Sequence, residues 1–121
     1  MSQVKGRLRE TLSRWASSDD MEAKELQTDA AKAGCCPIAD AKDRDRVELR
    51  GSLRTVTLRP RGGVPALEAE LYDGSGVITL IWLGRRRIAG IEAGRQVKVE
   101  GRIGVQDHTR VMFNPRYELR Y

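Results

Sequence analysis

Arginine is the residue type in this sequence best suited to binding a charged ligand. Of the 22 basic residues, 17 are arginine and 5 are lysine, and the formal net charge is +5. A guanidinium group donates hydrogen bonds in a planar fork that matches phosphate, and its flat face stacks on bases. The densest cluster is Arg85-Arg86-Arg87, and a second pair, Arg59 and Arg61, precedes two glycines that permit a close backbone approach. A GC-rich genome also favours arginine codons, so the bias alone does not identify the ligand.

Residue combinations that perform catalysis are missing from the sequence pattern. There is one histidine, and neither a P-loop nor a Gly-x-Ser-x-Gly motif accompanies it. The only cysteines, Cys35 and Cys36, are adjacent, so they close no useful loop, and a structural zinc site needs four Cys or His ligands. The sequence therefore predicts no enzyme activity, no cofactor and no metal site. Redox chemistry or an intermolecular bridge stays open for the two thiols.

The charge is distributed unevenly and divides the chain into three parts. Residues 1–16 carry a net charge of +3, residues 17–45 carry −4, and residues 46–121 carry +6. We predict an N-terminal amphipathic helix over 1–16, an acidic and partly helical connector over 17–45, and a basic domain over 46–121. The helix has an apolar stripe at helical spacing, formed by Val4, Leu8, Leu12 and Trp15. A second helix is predicted within the connector, from Met21 to Ala33.

Membrane insertion and secretion are not indicated. The longest apolar run, Val77 to Leu83, is too short to span a bilayer. The first residues lack the apolar stretch of a signal peptide. We therefore expect a cytoplasmic protein.

From Arg46 the apolar residues alternate with a period of two, which is typical of β-strands. The alternation slips between Leu53 and Val56, which predicts a bulge or bend in the first strand. Later strands are predicted around Leu67 to Leu71, Val77 to Leu83, Val97 to Ile103, and Val111 to Phe113, with a helical turn near Ile88 and Ile91. This pattern predicts an all-β core, a five-stranded OB-fold β-barrel with an N-terminal α-helical extension.

Three short motifs resemble known OB domains. Asp73-Gly74-Ser75-Gly76 followed by an apolar strand is similar to the turn of OB domains of the anticodon-binding type. Gly94-x-x-Val97-x-Val99-x-Gly101-x-Ile103 resembles their fourth strand. Asn114-Pro115-Arg116-Tyr117-Glu118-Leu119 resembles the end of the wedge domain of RecG-type branch-migrating helicases. No helicase motor accompanies these motifs, so the resemblance implies an OB domain that acts as a stand-alone adaptor.

The resemblance also implies where a ligand would lie. In OB barrels the ligand crosses strands two and three, between the first and fourth hairpin loops. The residues this implies for nucleic-acid binding are Arg50, Arg54, Arg59, Arg61, Tyr72, Arg85, Arg86, Arg87, His108 and Arg110. Tyr72 is the predicted stacking residue, whereas Trp82, Phe113 and Tyr117 are expected to pack internally. Glu68 and Glu70 would oppose phosphate on the same face.

Two classes of function are compatible with these features. The first is binding of nucleic acid, with single-stranded or branched DNA favoured over RNA. The second is a protein–protein adaptor or regulatory module, favoured by the scarcity of aromatic residues. The third strand is apolar on both faces, so its outer face needs cover. The N-terminal helix, a second copy in a homodimer, or a protein partner would each provide that cover.

Overall fold

The computed structural model describes residues 18–120, which contain one α-helix, one short 3-10 turn and seven strands. Helix α1 covers residues 18–32, and the 3-10 turn covers Ile38–Asp40. The strands are β1 (Arg46–Leu58), β2 (Ala66–Tyr72), β3 (Val77–Leu83), β4 (Gln96–Arg102), β5 (Gly104–Gln106), β6 (Thr109–Phe113) and β7 (Arg116–Arg120). The helix predicted over residues 1–16 lies outside the described residues. In the described part, no helix is long and apolar enough to cross a membrane.

The strands form one sheet in the order β5-β6-β3-β2-β1-β4-β7. Neighbouring strands are antiparallel, except that β3 and β6 are parallel. Strands β4 and β5 lie near opposite ends of this order, yet only the buried residue Ile103 separates them in sequence. The sheet therefore curls until its two ends approach each other at Ile103. The prediction of an all-β core with a preceding helix is confirmed at this level.

Seven strands are present where the sequence predicts five, because two short strands, β5 and β7, follow the predicted fourth and fifth strands. Ile103 separates β4 from β5, since its backbone N–H and carbonyl both form 2.8 Å hydrogen bonds with the connector. Asn114, at a φ of 49°, and Pro115, which has no N–H, separate β6 from β7. The helical turn predicted between β3 and β4 is a hydrogen-bonded loop instead, in which Ile91 N–H donates to the Ile88 carbonyl at 3.1 Å.

Strand β1 bends in its middle and pairs with two different neighbours. Its first half pairs with β4 and its second half with β2. Gly51 packs so closely on the carbonyl group of Tyr72 that a Cβ atom would collide with it. The pairing register shifts between Leu53 and Thr55, as the interrupted alternation predicts. The shift exchanges inward and outward positions along β1, so the outward residues of the half beside β4 and of the half beside β2 differ in phase.

The interior of the curled sheet is filled by the inward side chains of the strands. The largest fully buried apolar residues of the main core are Ile38, Leu49, Leu53, Leu71, Ile78, Leu80, Val97, Val99, Ile103 and Met112. Trp82 packs among them, and its indole Nε1–H donates to the Pro115 carbonyl at 3.1 Å. This packing confirms the core position predicted for Trp82 from its phase in β3.

The Asp73-Gly74-Ser75-Gly76 turn is organised by one buried carboxylate. Oδ1 of Asp73 accepts hydrogen bonds from the Ser75 N–H at 2.9 Å, the Ser75 hydroxyl at 2.7 Å and the Gly76 N–H at 3.1 Å. Oδ2 accepts the Ile38 N–H at 2.8 Å. The turn therefore joins the β2–β3 hairpin to the connector, which gives the sequence motif a structural role.

Helix α1 packs on the sheet beside this turn. Leu26 and Ala30 are buried, and burying a leucine side chain contributes about 2 kcal/mol. The helix passes so close to Gly74 that a Cβ atom there would collide with the Ala23 carbonyl. Asp29 adds an ion pair to Arg50 of β1, with Oδ2 and Nη2 2.8 Å apart.

Candidate nucleic-acid interface

One outer surface of the sheet is formed by the second half of β1 together with β2, β3 and β6, and we call it the β2–β3 face. Residues directly opposite each other on paired strands share a face. One row across it joins Thr57, Glu68, Ile81 and Phe113, and a second joins Thr55, Glu70, Thr79 and Val111. Tyr72 and Val77 continue the face toward the Asp73 turn. The face therefore mixes hydroxyl, carboxylate, aliphatic and aromatic groups.

At one end of the face, two arginines of the first hairpin loop surround Glu68. Arg61 donates from Nη2 and Nε to Oε1 of Glu68, at 2.9 Å and 3.2 Å. Arg59 approaches the other carboxylate oxygen at 3.9 Å, and its side chain is 70% exposed. The repulsion of phosphate expected from Glu68 is thus offset by the arginines beside it. Glu70 has no ion-pair partner among residues 18–120, so its repulsion remains.

Three loops meet at this same end, which we call the arginine end. Arg61 Nη1 donates to Oε1 of Gln106, the last residue of β5, at 3.4 Å, so the first and fourth hairpin loops are adjacent. The Gly84 N–H donates to the Pro65 carbonyl at 2.7 Å, which joins the loop after β3 to the first hairpin loop. That loop continues into the exposed Arg85-Arg86-Arg87 run. The structure therefore brings together two of the predicted basic segments: the loop that carries Arg59 and Arg61, and Arg85–Arg87.

At the opposite end of the face, Arg54 stacks on Tyr72. The guanidinium carbon of Arg54 lies 3.6 Å from the centroid of the Tyr72 ring. Such an arrangement is a close cation–π contact, and it presents a flat polar group outward above an aromatic ring. Arg54 occupies the position where the register of β1 shifts, so the bulge is what directs its side chain over Tyr72.

Phe113 lies on the β2–β3 face, although the sequence predicts internal packing for it. Its side chain is 39% exposed, and the guanidinium of Arg61 lies 5.6 Å from its ring centroid. Beside it, Ile81, Ala66 and Val111 form a small buried cluster separate from the main core. The alternation along β6 predicts this outward position, because Phe113 follows the inward-facing Met112.

The remaining predicted residues lie elsewhere. Arg50 is on another outer surface, under α1, where it pairs with Asp29. Arg110 turns toward the connector and donates to two backbone carbonyls, that of Ala41 at 3.1 Å and that of Ala39 at 3.0 Å. His108 is exposed in the two-residue turn between β5 and β6, at a φ of 63°. Neither Arg50 nor Arg110 is free to contact a ligand on the β2–β3 face.

The Asn114-Pro115 motif holds the end of β6 against β3. The Asn114 side-chain carbonyl accepts the Leu83 N–H at 2.9 Å, and its own N–H donates to the Ile81 carbonyl at 2.7 Å. The left-handed conformation of Asn114 allows both bonds, and asparagine tolerates that conformation better than most residues. The motif therefore positions Phe113 next to β3.

The two cysteines are not placed for chemistry. Cys35 is buried and Cys36 is half-buried, and both are free thiols. Burial raises the pKa of both thiols above the ordinary value, which keeps them protonated and weakly nucleophilic near neutral pH. Within residues 18–120, no group of three or more His, Cys, Asp and Glu side chains is arranged to hold a metal ion.

Comparison with known proteins gives a likeness of fold. No protein-family model matches the sequence, and no curated protein matches it. Among solved structures, RecG bound to a three-way DNA junction is similar, with a TM-score of 0.57 and 19% sequence identity over 67% of this chain. The chain spans only 12% of that RecG chain. The predicted resemblance to RecG is thus supported at the level of the fold.

Proposed function

We propose that this protein binds nucleic acid along the β2–β3 face, that single-stranded or branched DNA is preferred over RNA, and that it does so without catalysis. We further propose that the curled sheet is an OB-type barrel whose continuity runs through Ile103. The observation that carries the proposal is a pair of arginine–aromatic contacts on one face. Arg54 covers Tyr72 at one end, and Arg61 approaches Phe113 at the other.

The two aromatic rings are suited to contact two bases of the same nucleic-acid strand. Along β2, Tyr72 lies four residues from Glu68, and the row of Glu68 across the sheet includes Phe113. Four residues correspond to roughly 13 Å at the usual rise of a strand. Single OB domains cover about 4 nucleotides or more. Bases stacked against Tyr72 and Phe113 therefore belong to nucleotides separated by a few positions. The threonine hydroxyls between the rings are available for polar contacts.

The arginine end would bind the phosphate backbone. Arg59 is largely exposed and only loosely paired with Glu68, so it can turn toward a phosphate at low cost. Arg61 is held by Glu68 and Gln106, which suits a positioning role beside Phe113. Arg85-Arg86-Arg87 supplies further charge next to the same loop. Neutralising phosphates in this way releases counterions and gives affinity that is independent of sequence.

Binding is tested by measuring the affinity of the intact protein for labelled DNA. Fluorescence anisotropy with an oligothymidylate of roughly 20 nucleotides, a duplex and a three-way fork, each between about 50 and 200 mM salt, gives affinities and salt slopes. We expect the strand and the fork to bind more tightly than the duplex. No binding to any of the three at low salt would refute nucleic-acid binding.

The location of the site is tested by a triple variant, Arg59→Ala with Arg61→Ala and Glu68→Gln. Changing Glu68 as well avoids leaving an unpaired carboxylate on the face. We expect the salt slope to fall by about one unit, for the phosphate contact of Arg59 that is lost. The control is Lys24→Ala with Lys32→Ala and Asp20→Asn on α1, which changes the net charge by the same amount away from the face. Equal decreases of the salt slope in the two variants would show that net charge alone causes the effect.

The second candidate function is a protein–protein adaptor, and one observation favours it. Three exposed aliphatic side chains lie in the first hairpin loop or at the strand ends next to it: Leu58 at 48%, Val64 at 46% and Leu83 at 42%. Exposed apolar groups ringed by charge are typical of protein docking sites. If this function is the correct one, Leu83→Ser abolishes partner capture, whereas DNA affinity is negligible in the unmodified protein. A homodimer through residues 1–16 is a separate proposal, and it predicts a change in solution mass when these residues are removed.

A further inference from the structure

A second outer surface, formed by the first half of β1 with β4 and β7, carries an excess of basic residues, and we call it the β1–β4–β7 face. Strand pairing places its outward residues in four adjoining rows. The basic members are Arg46, Arg50, Lys98, Arg102, Arg116 and Arg120, and the acidic members are Glu48, Glu100 and Glu118. The polar residues Ser52 and Gln96 complete the last row.

Only part of this basic charge is neutralised within the sheet. Arg46 pairs with Glu100 at 3.1 Å, and Lys98 pairs with Glu48 at 3.4 Å. Three other arginines of the face have no ion-pair partner in the part of the chain that the structure describes: Arg102, Arg116 and Arg120. The face therefore has the charge and the spacing of donors expected of a surface that contacts a polyanion.

Arg50 is the exception on this face, because a residue from α1 covers it. Its side chain is only 9% exposed, and Nη2 lies 2.8 Å from Oδ2 of Asp29. Its Nε atom is buried and has no hydrogen-bond partner. A guanidinium that uses one donor on a carboxylate and leaves another unpaired is incompletely satisfied.

A cavity of about 660 Å³ lies between α1 and this face and leads to Arg50. The sheet lines it with donors from Arg50, Ser52, Gln96 and Arg120, and α1 lines it with the carboxylates of Glu22, Glu25 and Asp29. The side chain of Asp29 is 44% exposed. Asp29 can therefore swing into solvent while Leu26 and Ala30 keep the helix packed on the sheet.

We infer that the β1–β4–β7 face is a second phosphate-binding surface, that the carboxylates of α1 occupy it in the free protein, and that a nucleic-acid backbone replaces Asp29 on Arg50. The inference rests on the proposed function, since it adds a surface and its regulation to the same ligand class. Carboxylate and phosphate oxygens accept the same hydrogen bonds from a guanidinium, and phosphate matches its fork equally well. Arg120, Ser52 and Gln96 supply further donors beside the exchanged group.

Occupation by α1 sets the order in which the two faces bind. In the described part of the chain, no carboxylate of α1 pairs with an arginine of the β2–β3 face, whereas the Arg50 end of the β1–β4–β7 face binds only after Asp29 has been displaced. Because the faces lie on either side of the bend in β1, one molecule can contact two segments of a branched nucleic acid.

The test compares two double variants that change the net charge of α1 equally. Glu25→Gln with Asp29→Asn removes two carboxylates from the cavity, and Asp19→Asn with Asp20→Asn removes two from the same helix outside it. With the oligothymidylate of roughly 20 nucleotides as the probe, we expect the cavity variant to bind about tenfold more tightly than the control. Its salt slope should rise by about one unit for each added phosphate contact. Adding Arg50→Met to the cavity variant should remove the gain.

A third variant keeps the test decisive if loss of Asp29 loosens α1. Glu22→Gln with Glu25→Gln leaves the Asp29–Arg50 ion pair intact and should give a smaller gain, about threefold. If neither cavity variant exceeds the Asp19/Asp20 control while the unmodified protein binds the probe, the inference is wrong and the proposed function survives. If the unmodified protein and every variant fail to bind at low salt, the proposed function itself is wrong.

Discussion

The β2–β3 face and the β1–β4–β7 face are both rich in arginine and both built on β1, but they use their charges differently. On the β2–β3 face, the arginines contact aromatic rings and surround a single glutamate, and the Phe113 side chain is 39% exposed. On the β1–β4–β7 face, no arginine–aromatic contact occurs among the described residues, and Arg50 is covered by a carboxylate from α1. The number of basic residues therefore does not identify the open interface. The partners that each arginine already contacts identify it.

The bend in β1 explains how one strand serves both surfaces. The close contact at Gly51 and the register shift after Leu53 exchange the outward positions of the strand. The first half of β1 then presents Arg50 toward α1, and the second half presents Arg54 toward Tyr72. Four variants test this division.

Asp73→Ala should destabilise the protein most while leaving the β2–β3 face able to bind. The buried carboxylate accepts four hydrogen bonds, one of them from Ile38 in the connector. We expect a loss of about 3 kcal/mol in the free energy of unfolding, and calorimetry should show a melting temperature lower by about 10 °C. DNA affinity measured well below that temperature should stay within a few-fold of the unmodified protein. A selective loss of affinity without a loss of stability would place Asp73 in the interface instead.

Tyr72→Ala should weaken DNA binding by about tenfold, because base–aromatic stacking contributes about 1–3 kcal/mol per base. It also removes the ring on which Arg54 rests. Tyr72→Phe keeps the ring and is the matched control, with an affinity expected within about twofold of the unmodified protein. Titration by fluorescence anisotropy measures both. An equal loss in the two variants would show that the hydroxyl matters rather than the ring.

Asp29→Asn should lower stability by about 1 kcal/mol, since it leaves the buried Arg50 charge without its partner. The expected loss of stability is small because Asp29 is partly exposed and solvent screens its ion pair with Arg50. Adding Arg50→Met should restore the melting temperature, because a buried ion pair can be replaced by an apolar side chain at little cost. If Asp29→Asn melts at the same temperature as the unmodified protein, the ion pair does not hold α1.

Glu68→Gln should tighten DNA binding by about threefold, because it removes a negative charge and releases Arg61 for phosphate. Glu100→Gln makes the same change in charge on the β1–β4–β7 face, where it releases Arg46. We expect less than about a twofold effect there, since α1 closes the neighbouring cavity. Equal gains from the two variants would contradict the difference between the faces.

Local patterns in the sequence predict the fold well. The slip in alternation predicts the bulge in β1, and the Asp-Gly-Ser-Gly signature predicts the hairpin that Asp73 organises. Both features depend on residues that are close in sequence, so their signals are contained in short windows. The break at Ile103 was not predictable in this way, because it depends on backbone hydrogen bonds with a connector almost 60 residues earlier.

The candidate site is predicted less completely than the fold. Arg59, Arg61, Arg54 and Tyr72 lie on the expected face, because strand phase and loop position determine their location. Arg50 and Arg110 do not, since their partners come from distant segments, Asp29 in one case and the Ala39 and Ala41 carbonyls in the other. A side chain's phase shows where it points, whereas its partners depend on the tertiary structure.

The most direct test of the account is to observe which residues respond when nucleic acid first binds. The measurement is a titration of ¹⁵N-labelled protein with the oligothymidylate at low salt, followed through backbone amide and arginine Nε–H chemical shifts. We expect the earliest chemical-shift changes to cluster on the β2–β3 face, at Arg54, Thr57, Tyr72 and Phe113. The Lys98 and Glu118 amides should respond only at higher oligonucleotide concentration. First changes on the β1–β4–β7 face, or none on either face, would contradict it.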